Sequence, residues 1–280
     1  FAGMYMLNNC RQLGLSTRVF EVGKGVGGTW YWNRYPGSRC DVESVQYSYQ
    51  FDAELEQEWT WSEKYSTQPE ILSYANHVAD RFDLRYDIQF ETRVISAQYS
   101  EADKLWVLET DRNEKASSWY CVFATGFDAM TGALANIEIV GKGGSVLAEK
   151  WQDGPQTYLG LTSNGFPNMF MITGPDSPFV LTNMLPSIEQ HVNFISECIS
   201  HMTERNFSIS EPDREAEIDW VLHVNEVAGL SLRSTCASWY VAANVPRKPR
   251  VFSPYIGGFP EYVERCEQVV GNNYEGFTLV

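Results

Sequence analysis

The sequence predicts an α/β fold: a parallel sheet flanked by helices, plus a small antiparallel β element. Three observations predict it. Residues 2–13 carry an apolar stripe of helical spacing (Ala2, Tyr5, Met6, Leu13) closed by Gly14, and a strand at Thr17–Val22 follows at once. Apolar strands at 119–124 and 168–174 each run into a glycine turn. The runs 94–99 and 105–110 flank the polar turn Ser100–Lys104, which reads as a hairpin.

In chain order, helix, short turn and strand over 2–22 form the second half of a βαβ unit, whose first strand would precede Phe1. A Gly-rich stretch, Gly23 to Gly28, ends that strand. An aromatic loop, Thr29 to Asp41, comes next. Pro69-Glu70 opens a helix predicted over 69–82, with Ile71, Tyr74, Ala75, Val78 and Phe82 on its apolar side. A strand at 88–90 precedes the hairpin. A later helix is predicted over 187–203, where Ser187-Ile-Glu-Gln190 fits a capping box and Ile188, Val192, Ile195, Ile199 and Met202 keep helical spacing. Internal repeats and low-complexity segments are not found.

The 280 residues suit one or two domains, and 44% hydrophobic content is enough for a buried core. A net charge of −15 argues against binding a phosphate backbone, which needs a basic face. No run reaches the roughly 18–20 apolar residues of a membrane span. The six cysteines are scattered, with no C-x-x-C, so free thiols in a reducing, cytoplasmic setting are expected. The four histidines show no metal-binding spacing, and no metal is expected.

The chemistry-bearing residues start at the N-terminus. In a dinucleotide-binding unit, G-x-G-x-x-G lies between strand and helix, and an acidic residue about 20 positions on holds the ribose hydroxyls. Phe1-Ala2-Gly3 fits the last three positions, and Glu21 fits the acidic one. An ordinary helix start followed by a solvated glutamate fits those residues too. Gly27-Gly28 lets backbone approach a bound group closely. Trp30-Tyr31-Trp32 and Tyr35 put four aromatics within six residues, either as a packed lid or as a wall beside a flat ring system.

The run Gly27-Gly-Thr-Trp-Tyr-Trp-Asn-Arg-Tyr-Pro-Gly-Ser-Arg-Cys-Asp41 resembles the flavin-domain signature of the Baeyer–Villiger flavin monooxygenases, of the cyclohexanone, phenylacetone and steroid monooxygenase kind. The resemblance continues through Tyr47, Trp59, Tyr65 to Ile71, Ala124 to Gly132, Tyr158-Leu-Gly, Gly165-Phe-Pro-Asn, Gly174-Pro, Asn183-Met-Leu, Ser187-Ile-Glu and Ala237-Ser-Trp-Tyr. It implies a Rossmann-like FAD-binding domain, with FAD and NADPH as cofactors and a small ketone and O₂ as substrates. The product would be an ester or lactone.

By position, the resemblance puts Gly3 at the pyrophosphate and Glu21 at the adenosine ribose. Gly28, Thr29 and Trp30 would follow the diphosphate and ribityl path. Asp41, the candidate catalytic residue, would lie beside the flavin ring with Arg39 and Cys40. Tyr47 and Met184 would be further cofactor contacts, and Val94 a backbone contact to the adenine end. Phe179, Val180, Leu181 and Trp239 would face substrate.

The sequence also departs from the family. An inserted NADPH-binding domain is expected between about 126 and 127, and the chain passes there from one FAD-domain part (1–126) straight into the other (127–280). The family's catalytic arginine belongs to that insert, and none of Arg34, Arg39, Arg93, Arg247 and Arg250 matches its position. The alternatives are an inactive FAD-domain remnant or another flavin monooxygenase of the N-oxygenating type. The 280 residues alone are not expected to turn over.

Overall fold

The computed structural model describes residues 1–125, 131–178, 182–232, 239–241 and 250–280; of residue 239 it describes the backbone only. Contacts divide the chain into two units: Phe1–Arg93 with Asn183–Ser196, and Val94–Thr182 with Glu197–Val280.

In the first unit, α1 (Ala2–Gln12) buries Met4, Tyr5, Met6, Leu7, Asn8 and Cys10. It ends as its sequence requires. Gly14 takes φ +72°, its N–H bonds to Arg11 O, and Leu15 N bonds to Cys10 O, the paired bonds of a Schellman cap. β1 (Val19–Phe20) then pairs in parallel with β2 (Ile88–Gln89), Val19 opposite Ile88. The predicted strand 17–22 is thus shorter in its ladder, although hydrogen bonds to the partner segment continue past its end. α2 (Thr29–Trp32) and α3 (Ala53–Glu58) are short. α4 (Gln68–Arg81) starts with Pro at its N-terminal turn and buries Ile71, Tyr74, Ala75 and Val78, within a residue of the predicted bounds. Leu7, Ala75, Ala79, Leu84 and Val26 form one core, and Trp30, Cys40 and Ile71 another.

In the second unit, β3 (Val94–Ser100) and β4 (Leu105–Thr110) form the predicted hairpin, with Ala97 opposite Leu108. Its turn is closed by Ser100 Oγ, which donates to Asp103 Oδ2 at 2.8 Å. β5 (Lys115–Ser118) extends the hairpin antiparallel. β6 (Cys121–Phe123) precedes α5 (Gly132–Ala135) and β7 (Glu138–Val140), and β7 joins β3 in parallel. α6 (Leu147–Lys150) follows, and β8 (Met169–Met171) pairs in parallel with β6. The expected mixture of parallel pairing and a small antiparallel element is therefore present. Trp106, Phe166, Met169, Met171, Ile139 and Trp151 fill the core, and the Trp106 indole donates to Pro167 O at 2.7 Å.

α7 (Met184–Arg205) begins three residues before the predicted start. The cap is Asn183, whose Oδ1 accepts from Leu185 N at 3.2 Å. Ser187 lies inside the helix and donates back to Asn183 O, so the capping box is not the start. β9 (Ser210–Pro212), α8 (Arg214–Gly229), α9 (Phe259–Gly271) and β10 (Phe277–Leu279) complete the chain, with β9 and β10 antiparallel.

Two motif segments of the second unit meet by backbone. Gly160 has φ +68°, and a Cβ there would stand 2.5 Å from Ser177 N; a Cβ at Gly174 would stand 2.5 Å from Gly160 O. Beside them Asp176, at φ +68°, is fully buried, accepts from Thr157 Oγ1 at 3.0 Å, and is capped at its carbonyl by the Trp220 indole. Burial pushes the Asp176 carboxyl well above the ordinary carboxylate range, more than the Thr157 bond lowers it.

Two predictions follow from this corner. Gly160→Ala combines left-handed strain with a backbone clash and should cost at least ~2 kcal/mol, read as a fall in thermal midpoint. Asp176 keeps its proton in the folded state at pH values where the unfolded chain has lost it. Its contribution is complete below the ordinary Asp range and declines as pH rises above it. Asp176→Asn, which also tolerates positive φ better, should raise stability at pH 7 and remove that part of the alkaline decline, as measured by urea unfolding from pH 4 to 8.

Candidate dinucleotide site

The site residues of the first unit are set by three short segments. The first is the exit from β1. Glu21 N donates to Gln89 O, Thr92 N donates to Glu21 O, and Glu91 N donates to Gly23 O. The backbone beyond β1 is therefore held by the chain after β2. Glu21 Oε1 accepts from Gly23 N at 2.6 Å, which orients the carboxylate on its own turn. Gly3 lies in the first turn of α1, where Met4 N and Tyr5 N bond Phe1 O.

The second segment is α2. Gly28 caps it with φ +52°, and nothing lies within 4 Å of the place where its Cβ would stand. The backbone at this turn is therefore open to close approach. Thr29 is exposed and Trp30 buried. The Trp30 indole N–H donates to Tyr47 Oη at 3.0 Å, and its carbonyl accepts from Gln68 Nε2.

The third segment runs from 38 to 47. Cys40 N donates to Ser66 O and Gln68 N to Ser38 O, so residues 38–40 lie antiparallel to 66–68. This alternation buries Ser38 and Cys40 and exposes Arg39 and Asp41. Arg39 pairs with Glu63 at 2.9 Å and also donates to Tyr65 O. Burial raises the Cys40 thiol, with Asp41 adding to the rise, so Cys40 is a neutral thiol at pH 7. The Tyr47 phenol is raised by burial first, then by Cys40 and Asp41. Phe1 meets the rings of Tyr47, Tyr49 and Tyr74 with centroids 5.9, 5.5 and 6.3 Å away.

The structure thus brings together Trp30, Cys40, Asp41 and Tyr47, and places Glu21, Gly28 and Gly3 in the same unit. Met184 is half-buried at the start of α7, where Asn183 Nδ2 donates to Gln46 O. Val94 opens β3 in the other unit, opposite Thr110. Phe179, Val180 and Leu181 lie outside the described residues, as does the side chain of Trp239. Among the described residues no cluster of metal-ligating side chains occurs. Tyr49 and Tyr74 support the site without a site signal in the sequence, and Gln68 lies within the Tyr65–Ile71 resemblance without an assigned role.

A parallel β1–β2 pair, an oriented acidic residue at a strand end and an unobstructed glycine at the start of α2 are features of the Rossmann-type fold class. Comparison with known proteins narrows this. No family model matches. A phenazine N-monooxygenase of Lysobacter antibioticus is 23% identical over 517 positions, covering 100% of this chain and 95% of the relative. An acetone monooxygenase of Gordonia sp. is 23% identical over 517 positions, covering 99% and 97%. A cyclohexanone 1,2-monooxygenase of Acinetobacter sp. is 39% identical over 158 residues, 56% of this chain and 29% of the relative. A solved structure of oxidised steroid monooxygenase bound to NADP superposes with TM-score 0.93 at 28% identity, covering 100% of this chain and 97% of that one. The chain is thus similar to Baeyer–Villiger and related flavin monooxygenases, in line with the motif run. An alignment of 517 positions against 280 residues leaves at least 237 positions with no counterpart in this chain.

Tyr47→Phe leaves the buried Trp30 indole N–H without its acceptor. The expected cost is about 1–2 kcal/mol in denaturant unfolding, with a changed tryptophan emission maximum.

Proposed function

We propose that this chain is the FAD-binding part of a Baeyer–Villiger monooxygenase, an enzyme that uses NADPH and O₂ to convert a small ketone into an ester or lactone. The observation that supports it best is the assembly, in one unit, of the Glu21 turn, the open Gly28 backbone and the Trp30–Tyr47–Asp41 group. These residues fit FAD, because the backbone at Gly28 is open to close approach and the Glu21 carboxylate is already oriented. FAD, when bound, would accept hydride from NADPH and activate O₂.

The chain's own residues then divide the work. Glu21 would hold the adenosine ribose, and Gly3 and Gly28 would admit the diphosphate. Thr29 and Trp30 would follow the ribityl chain. Arg39, Cys40, Asp41, Tyr47 and Met184 would surround the flavin ring, with Asp41 as the nearby negative charge. Val94 would meet the adenine end by its backbone. Phe179, Val180, Leu181 and Trp239 would line the substrate side and exclude water. A cytoplasmic location belongs to the same reading, supported by the acidic composition and the buried, free thiols.

The NADPH-binding domain would fall between residues 126 and 127. Two features support that placement: the gap of at least 237 positions, and matches of higher identity confined to stretches of 126 to 158 residues, such as the 36% match over 126 residues to an FAD-binding monooxygenase of Aspergillus aculeatus. A second reading, oxygenation at nitrogen, is favoured by the phenazine N-monooxygenase relative. Product analysis with a ketone and an aromatic amine heterocycle, after the NADPH half is supplied, separates the two.

The purified chain, reconstituted with FAD, should carry a yellow, non-dialysable flavin; colourless protein contradicts the proposal. The 280 residues alone should show no ketone-stimulated NADPH oxidation, and such oxidation with ester product would overturn the domain assignment. Asp41→Ala should change the rates of flavin reduction and reoxidation, and unchanged kinetics would remove Asp41 from the ring environment.

A further inference from the structure

Tyr31 lies within the signature run, yet the reading above gives it no task. Its side chain is placed across the glycine turn that follows Glu21. A Cβ built on Gly23 would stand 3.0 Å from Tyr31 Cε1 and 3.1 Å from Glu21 Oε1, and one built on Gly25 would stand 3.5 Å from Tyr31 Cε2. The ring therefore covers both glycines; a Cβ at Gly23 would crowd it, and one at Gly25 would be in ordinary contact with it. Between them, Lys24 N donates to Tyr31 Oη at 3.1 Å. The ring is held in turn by Arg34, whose guanidinium lies 4.6 Å from the ring centroid and whose Nε donates to Tyr31 O at 2.6 Å. Tyr31 N bonds Gly28 O, which fixes the ring's backbone to the start of α2.

We propose that Tyr31 is a positioning residue for Glu21. Its ring and hydroxyl hold the Gly23–Gly25 turn in the shape that presents Gly23 N–H to Glu21 Oε1, and this fixes the carboxylate for the ribose diol of an adenine dinucleotide. The proposal rests on the FAD reading for its ligand and on the turn geometry for its mechanism. The physical reason is entropy. A glutamate at a strand end has three rotatable bonds, and two hydroxyls can be bound together only when those bonds are already set. A glycine turn is too flexible to set them unaided, and a flat ring pressed on it supplies the missing rigidity.

The test is a double-mutant cycle on FAD affinity, with a second readout that needs no flavin. Glu21→Gln should weaken FAD binding about tenfold or more, and Tyr31→Ala several-fold. Tyr31→Ala on the Glu21→Gln background should add less than about twofold, because the group it orients is already gone. Tyr31→Phe keeps the ring contact, preserves the fold and loses only the Lys24 bond, so a loss of about twofold is expected. In the flavin-free chain, the Gly23 amide proton should resonate downfield and move upfield in Glu21→Gln. Tyr31→Ala should abolish the downfield position while a well-dispersed spectrum is retained. Equal losses on both backgrounds, or an unchanged Gly23 amide in Tyr31→Ala, would overturn the proposal. If the wild-type chain binds no FAD, the ribose role fails with the FAD reading, and the Gly23 amide still decides whether Tyr31 shapes the turn.

Discussion

The structure of the first unit depends on one constraint: the chain leaving β1 stays hydrogen-bonded to the segment after β2 for three residues beyond the strand. Glu21 bonds on both its N–H and its carbonyl, and Gly23 accepts from Glu91. A two-residue ladder is weak by itself. The continued pairing turns it into an anchored exit, so that an acidic side chain and a glycine turn are held at the carboxyl end of a parallel strand. That is where ligands bind in open α/β sheets. The rest of the unit builds on this exit. Tyr31 covers the turn, Gly28 starts α2, and Trp30 passes the arrangement on to Tyr47 and the 38–41 segment.

Buried ionisable groups are handled in two ways, and neutralisation by burial occurs in both units. Around Tyr47 and Cys40, burial favours the neutral forms, and the exposed Asp41 carboxylate adds to both shifts. In the second unit the buried Glu217 is instead held by an ion pair and hydrogen bonds. Glu217 accepts from Lys150 Nζ at 2.9 and 2.7 Å, from Ser163 Oγ at 3.1 Å and from Asn164 N at 2.7 Å. Removing one partner would strand the other, so this network specifies how the Gly165-Phe-Pro-Asn segment sits against α8. The Tyr158-Leu-Gly and Gly174-Pro segments are thus explained by packing and backbone approach.

What could be read from the sequence follows from range. The Gly14 cap and the Ser100–Lys104 hairpin are local, and both stand as expected, the first as a full Schellman pair and the second with its own side-chain closure. α7 starts earlier than the sequence predicts because Ser187 and Gln190 satisfy a local capping pattern, while the actual cap, Asn183, lies four residues before Ser187. α8 was not predicted: Ile218 and Leu222 are exposed apolar residues on its outer face and blur its period. α9 was hidden by Gly257-Gly258-Phe-Pro, which reads as a turn. At the site, residue types and spacing pointed to Glu21 and Gly28, and the family resemblance supplied Trp30, Asp41 and Tyr47. The ring of Tyr31 on Gly23 and Gly25 is a contact within one irregular loop, and the Tyr49 and Gln68 supports join segments 25 to 48 residues apart; neither kind leaves a periodic signal.

The central claim is that one unit of this chain holds an adenine dinucleotide by its adenosine half at the end of β1. Calorimetric titration with FAD and, separately, with FMN tests it most directly, because FMN lacks that half. The account predicts one FAD per chain, with FMN binding weaker by at least about a hundredfold. Equal affinity for FAD and FMN, or no heat with either, would contradict it.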